Sequence, residues 1–169
     1  VENMKAMFQM ARLFDQPLDK WDTSSVKDMS HMFEWAKSFN QPLNMWNTWN
    51  VESMEAMFFG AESFNRSLNA YANEWNTSKV KDMSYMFCEA ISFDQPLVKW
   101  DISKVENISH MFDSATSFNQ PLVNWDTSNI KEMRAMFHDA YEFSFKELLE
   151  DSWDISSVSD INSINDIFK

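Results

Sequence analysis

The chain repeats itself, and that repeat constrains its folding more than any other feature. A Met-Phe pair stands at Met7-Phe8, Met32-Phe33, Met57-Phe58, Met86-Phe87, Met111-Phe112 and Met136-Phe137, at steps of 25, 25, 29, 25 and 25 residues. A tryptophan follows each pair, at Trp21, Trp46, Trp75, Trp100, Trp125 and Trp153, with steps of 25, 29, 25, 25 and 28. Two independent markers on one beat of this length signal a chain that stacks one supersecondary unit per copy, since no single unit can bury its apolar face alone. Four extra residues enter between Leu68 and Trp75, around Tyr71, and three between Phe143 and Trp153, in the stretch 145–151. The anchors Met7, Met32, Met57, Met86, Met111 and Met136, with Ile164 in a drifting last copy, make about seven units in one domain spanning 1–169. The start at Val1 falls in mid-repeat and reads as a fragment of a longer chain.

The second copy shows the unit whole. Val26, Met29, Met32, Phe33 and Ala36 lie at i, i+3, i+6, i+7 and i+10, the spacing of one helix face. Ser24 stands where an N-cap belongs, as do Ser78, Ser103, Ser128 and Ser156, and Glu106 three residues after Ser103 completes a capping box. Pro42 ends the helix, because proline disfavours helical geometry in the residue before it. The stretch 41–46 then reads as a brief strand. The expected fold class is therefore an α/β repeat, each copy a strand and a short helix, with all strands in a single parallel sheet. The expected core is the periodic set: Met32, Phe33, Phe39, Leu43, Trp46, Met57, Phe58, Phe87, Trp100, Phe112, Trp125 and their equivalents.

Composition matters at the corners. The chain has one glycine, where average usage of about 7% would give about twelve. Asn, Asp, Ser and Pro must therefore shape the turns. The residue after the repeating Phe is Asp15, Asn40, Asn65, Asp94 and Asn119. Stacked copies would turn that column into a ladder of side-chain hydrogen bonds to backbone.

The consensus M-F-x-x-A-x-S-F-N-Q-P-L-x-x-W-D-T-S-x-V-x-x-M resembles the BspA-like leucine-rich repeat of surface proteins, also known as the mycoplasma-type lipoprotein repeat of unknown function. The likeness runs over essentially the whole chain. It implies a leucine-rich-repeat-like solenoid, a cell-surface or extracellular setting, and a part in adhesion or protein contact. It brings no catalytic residues. The sequence departs from that pattern in Pro17, Pro42, Pro96 and Pro121 after the Gln, and in lacking a glycine before the Ala except at Gly60.

The chemistry-bearing residues do not assemble an active site by spacing. His31 and His110 share one repeat position three copies apart, roughly 14 Å at ~4.8 Å per copy. His138 holds another position, so no transition-metal site is expected. Cys88 is the lone cysteine, which rules out an internal disulfide. It has no neighbour at an activating spacing, so it reads as a half-buried structural thiol or an exposed free one. Asp22, Asp101, Asp126 and Asp154, with Asn47 and Asn76, form a column that could face calcium or, on the favoured reading, cap local turns. No nucleophile, base and orienter converge, so the chain is expected to be no enzyme and to carry no cofactor or metal.

A formal charge of −12 argues against nucleic acid, whose binders need basic stripes, and against anionic membrane surfaces. No apolar run is long enough to insert in a membrane. The remaining expectation is a protein-interaction or adhesion scaffold at a cell surface or outside it, with a protein partner. An architectural subunit of a larger assembly or filament is the alternative, and a carbohydrate-binding solenoid, with a glycan as ligand, is the second. The candidate contact residues are those the period does not require: Tyr71 and Phe145 in the insertions, Trp35, Trp49, Phe59 and Tyr85 outside the consensus, and Met45, Val98 and Val123 in the variable pair before each Trp.

Overall fold

A computed structural model of the chain describes residues 1–69 and 75–167. The chain does wind into a stack of similar coils, but the coils are not strand–helix units. Among the described residues the only helices are α1, Lys146–Ser152, and α2, Ile161–Asn165. Among the described residues no parallel sheet forms. The coils meet at isolated parallel bridges running Asn3 to Asp28, Asp28 to Ser53, Ser53 to Asp82, Asp82 to Asn107 and Asn107 to Glu132. The expected α/β repeat, and with it the leucine-rich-repeat solenoid, is thereby overturned.

The backbone hydrogen bonds give the reason. In the second coil the amides of Met32, Glu34 and Ala36 bond locally to the carbonyls of Met29, His31 and Phe33. The alternate amides of Met29, His31, Phe33 and Trp35 bond instead to Ser53, Glu55, Met57 and Phe59 of the next coil, at 2.6–3.1 Å. A helix would satisfy every amide four residues back and need no neighbour. Here half the donors close turns and half cross to the adjacent coil, so all are used and the coils are locked together. Closing these turns puts two residues per coil at positive φ, such as His31 at 57° and Trp35 at 57°. A non-glycine residue there costs ~1–2 kcal/mol. The coil-to-coil hydrogen bonds and the stacked core offset that cost. The spacing of inward residues in such a turn run mimics a helix face, which is why Val26, Met29, Met32, Phe33 and Ala36 misled the reading.

The capping assignments fall with the helix. The Ser24 amide bonds to Asp22 Oδ1 at 3.0 Å. The Ser103 amide and hydroxyl bond to Asp101 Oδ1, and Glu106 turns its carboxylate to Lys131 at 2.6 Å. The expected strand at 41–46 makes no backbone ladder either. The leucine carbonyl there takes an indole instead: Trp46 Nε1 donates to Leu18 at 3.0 Å, Trp75 to Leu43 at 3.0 Å, Trp125 to Leu97 at 3.2 Å and Trp153 to Leu122 at 3.2 Å. Trp100 is the exception, its buried Nε1 without a partner. By register its acceptor would be the carbonyl of Leu68, where the four-residue insertion begins.

The interior is a set of aromatic columns. Phe8, Phe33, Phe58, Phe87, Phe112 and Phe137 stack coil on coil at 5.5–5.6 Å between centroids. A second column, Phe14, Phe39, Phe64, Phe93, Phe118 and Phe143, runs beside it at 5.9–6.1 Å. Met32, Phe33, Phe39, Leu43, Trp46, Met57, Phe58, Phe87, Trp100, Phe112 and Trp125 all lie in the buried core. Each stacked pair adds ~0.5–1.5 kcal/mol to the burial of its area.

The Asn/Asp column forms the ladder its spacing predicts. Asp15 Oδ1 accepts the Asn40 amide, Asn40 that of Asn65, Asn65 that of Asp94, Asp94 that of Asn119 and Asn119 that of Ser144, at 2.9–3.1 Å. The Gln41, Gln95 and Gln120 side chains donate to the same oxygens. Buried threonines make a parallel ladder, with Thr23, Thr48, Thr77 and Thr127 donating to the carbonyls of Asn47, Asn76, Asp101 and Asp154. At the C-terminal end α2 replaces the turn run. Asp160 caps it by accepting the Asn162 amide, Ser163 Oγ takes the Met133 amide, and Ile167 takes that of Phe137.

Candidate functional site

The turn run carries side chains that the core does not use. Its two positive-φ positions and the residue just before the second form three columns, because every coil places them alike. Read coil by coil, one column is Ala6, His31, Ala56, Tyr85, His110 and Ala135. The next holds Glu34, Phe59, Cys88, Asp113 and His138, and the third Met10, Trp35, Gly60, Glu89, Ser114 and Asp139.

These columns bring three of the expected contact residues together. Trp35 packs on Phe59 with centroids 5.1 Å apart, Phe59 on Tyr85 at 6.2 Å, and Tyr85 lies flat on His110 at 4.6 Å and 6°. The result is a half-buried aromatic ribbon that crosses four successive coils. Gly60 makes room at its start: a Cβ there would lie 2.5 Å from Trp35 Cε3, so only glycine lets the indole rest on this coil. Lys37 sets its ammonium 5.5 Å from the Trp35 ring centre while bonding Glu62 at 2.5 Å.

Beyond His110 the ribbon continues as a charged relay. His110 Nδ1 lies 2.9 Å from Asp113 Oδ2, and His138 Nδ1 lies 3.0 Å from Asp113 Oδ1. Ser114 Oγ donates to the same carboxylate at 3.0 Å. Burial pushes the Asp113 carboxyl up, but the bonds from His110, His138 and Ser114 outweigh it and hold it below the usual range. The hydrogen bond to Asp113 raises the His138 imidazole above its ordinary value. His31 pairs likewise, with Glu34 at 2.7 Å and Glu55 at 3.7 Å. All three histidines of the chain thus face carboxylates on one surface.

In nucleophilic activation a histidine stands between the hydroxyl and the carboxylate. Here Asp113 stands in the middle and Ser114 donates straight to it. Among the described residues no group of three or more His, Cys, Asp or Glu is arranged to hold a metal ion. The Asp/Asn column after the tryptophans closes local turns: Asp22, Asn47, Asn76, Asp101, Asp126 and Asp154 each accept the amide two residues on. Cys88 is buried, and desolvation first, then the charges of Asp113 and Glu89, push its thiol far up, so it stays protonated.

The other expected contact residues lie elsewhere. Trp49, Met45 and Val98 are exposed, and Val123 is half-buried against the core. Phe145 precedes α1 and meets Phe143 edge-on at 6.1 Å. Tyr71 lies outside the described residues. The parts of the site that sequence reasoning missed are Lys37 beside Trp35 and the relay of His110, Asp113 and His138. Asp113 stands three residues after His110 and one period before His138, so the register alone could have found it.

A family model described as Mycoplasma protein of unknown function, DUF285, matches residues 1–74 and again 68–168, and the chain belongs to that family. No curated protein and no solved structure matches it. No helix among the described residues is long and apolar enough to cross a membrane.

Proposed function

We propose that this member of the DUF285 family is a non-enzymatic protein-interaction scaffold that works at a cell surface or outside the cell, with the aromatic ribbon as its contact face. One observation carries the reading. Trp35, Phe59 and Tyr85 are not needed by the repeat, yet they gather on one face beside carboxylates. Aromatic side chains in fixed positions are the usual anchors of protein contacts. A backbone whose amides alternate between its own coil and the next holds them still, so little ordering entropy is lost on binding. The resemblance to BspA-like surface proteins supports the setting.

The test is photo-crosslinking in the native cells, with a photoreactive residue at Tyr85, at Trp49 or at Val98 in turn. The reading requires a discrete adduct with another protein from Tyr85 and weaker or none from the other two. Adducts with further copies of the chain from every position would favour an architectural subunit. No adduct from any position would remove the scaffold role.

A further inference from the structure

We propose that the ribbon Trp35–Phe59–Tyr85–His110 docks an extended, arginine- or lysine-rich segment of a protein partner, an inference that rests on the scaffold reading and names its ligand class. The chain already shows the recognition chemistry once. Lys37 holds its ammonium over the Trp35 ring and against the Glu62 carboxylate. A ring face on one side and an anion on the other is the arrangement that binds a desolvated cation.

The same ingredients recur along the ribbon without a cation supplied by the chain. Tyr85 is 38% exposed. Glu89 is half-buried four residues on, one coil beyond Gly60 in the column that also holds Trp35. Among the described residues no basic side chain lies within ion-pair distance of Glu89. Glu34, Glu55, Asp113 and Asp139 share the turn-run face with the histidines that pair them, His31, His110 and His138, which leaves Glu89 as the carboxylate of that set with no ion pair. The lysines of a different column are neutralised: Lys27, Lys81 and Lys131 pair with Glu2, Glu52 and Glu106 one coil back. The Glu89 carboxylate beside Tyr85 is thus unmatched among the described residues, and a net charge of −12 steers a basic partner toward the protein from a distance.

The dimensions select an extended occupant. The ring-to-ring steps of 5.1, 6.2 and 4.6 Å make a path that an extended peptide covers in about five residues at ~3.3 Å each. Side chains on one face of such a peptide recur every second residue, so two or three guanidinium groups reach the ribbon. Arginine suits it better than lysine, since its planar head stacks on a ring while its edge donates to a carboxylate.

The probe is a fluorescein-labelled nonapeptide alternating Arg and Ser, with a Glu-Ser peptide of the same length as its counterpart, followed by anisotropy with the whole chain. The Arg peptide should bind and the Glu peptide should not. Tyr85→Asn, which keeps a residue tolerant of positive φ, should weaken binding about tenfold, and Glu89→Gln several-fold. Trp49→Ala and Glu52→Gln, away from the ribbon, should leave it unchanged. A far-ultraviolet melt confirms that each variant is folded, and Glu89→Gln serves if Tyr85→Asn is not. Equal weakening by Glu52→Gln and Glu89→Gln would show diffuse charge attraction and overturn the site. No binding of the Arg peptide would overturn the ligand class, while a Tyr85 crosslink in cells would still stand for the scaffold.

Discussion

Replacing the single glycine tests the ribbon and the turn run together. Positive φ is not what demands glycine at position 60. Met10, Trp35, Glu89, Ser114 and Asp139 hold the same place in other coils at φ of 53–61°. What the others lack is an indole lying on them. In Gly60→Ala the new methyl would sit 2.5 Å from Cε3 and 2.7 Å from Cδ2 of Trp35, so the ring must lift away. The backbone contribution is ~1–2 kcal/mol, the penalty of a left-handed alanine. Lifting the indole forfeits its packing on Phe59, ~0.5–1.5 kcal/mol, and its contact with Lys37, ~0.5–1 kcal/mol. The whole effect is about 2–4.5 kcal/mol, or a melting point lower by roughly 4–18 °C at this chain length. Trp35→Ala removes the obstacle without creating a new left-handed site, since Trp35 already has φ of 57°. Gly60→Ala should therefore be milder by about 1–2.5 kcal/mol in the Trp35→Ala background. Urea denaturation of the four proteins gives this coupling directly. Additivity within ~0.5 kcal/mol would refute the claim that Trp35, and not the backbone, selects glycine.

Phe87 is fully buried between Phe58 and Phe112 at 5.6 Å on each side. Phe87→Ala should cost ~3–5 kcal/mol by denaturant titration, while Phe145→Ala, outside both columns, should cost about 1 kcal/mol or less; similar losses would mean the columns add nothing. Trp100→Phe should be milder than Trp125→Phe by ~1 kcal/mol, because only the Trp125 indole has an acceptor to lose. The His138 value is raised, so its stabilisation is complete below the ordinary 6.5 and fades as pH climbs through the folded value. The Asp113 value is lowered, so its share is present above 3.8 and fades as pH falls through the folded value. The melting-point gap between the wild type and His138→Gln should then be widest between 3.8 and 6.5 and narrow as pH rises through the folded value of His138. A gap that widens toward high pH would contradict the His138–Asp113 bond.

The sequence by itself determined whatever depends on register. Steps of 25 residues between Met-Phe pairs, broken once by a four-residue insertion, oblige equivalent residues to stack, so the phenylalanine columns follow from counting. The ladder through Asp15, Asn40, Asn65, Asp94 and Asn119 follows as well, since a short amide or carboxylate one period away meets the same backbone amide in every coil. Counting would also have joined His110, Asp113 and His138, had period and i+3 spacing been applied to polar residues as they were to apolar ones.

Only the tertiary structure decided the path of the chain within a coil. Val26, Met29, Met32, Phe33 and Ala36 present one apolar face whether the backbone is a helix or a run of turns, and side-chain pattern cannot tell the two apart. The difference lies in where alternate amides go. The turn run is chosen because Met29, His31, Phe33 and Trp35 find carbonyl acceptors in the next coil, and those exist only once the coils are stacked. The positive φ values at His31 and Trp35 are unfavourable locally and are repaid between coils, so no window of the sequence shorter than two repeats contains their cause. The ribbon has the same origin. Trp35, Phe59 and Tyr85 hold three different repeat positions, and they meet because neighbouring columns on a stacked surface lie a few ångströms apart.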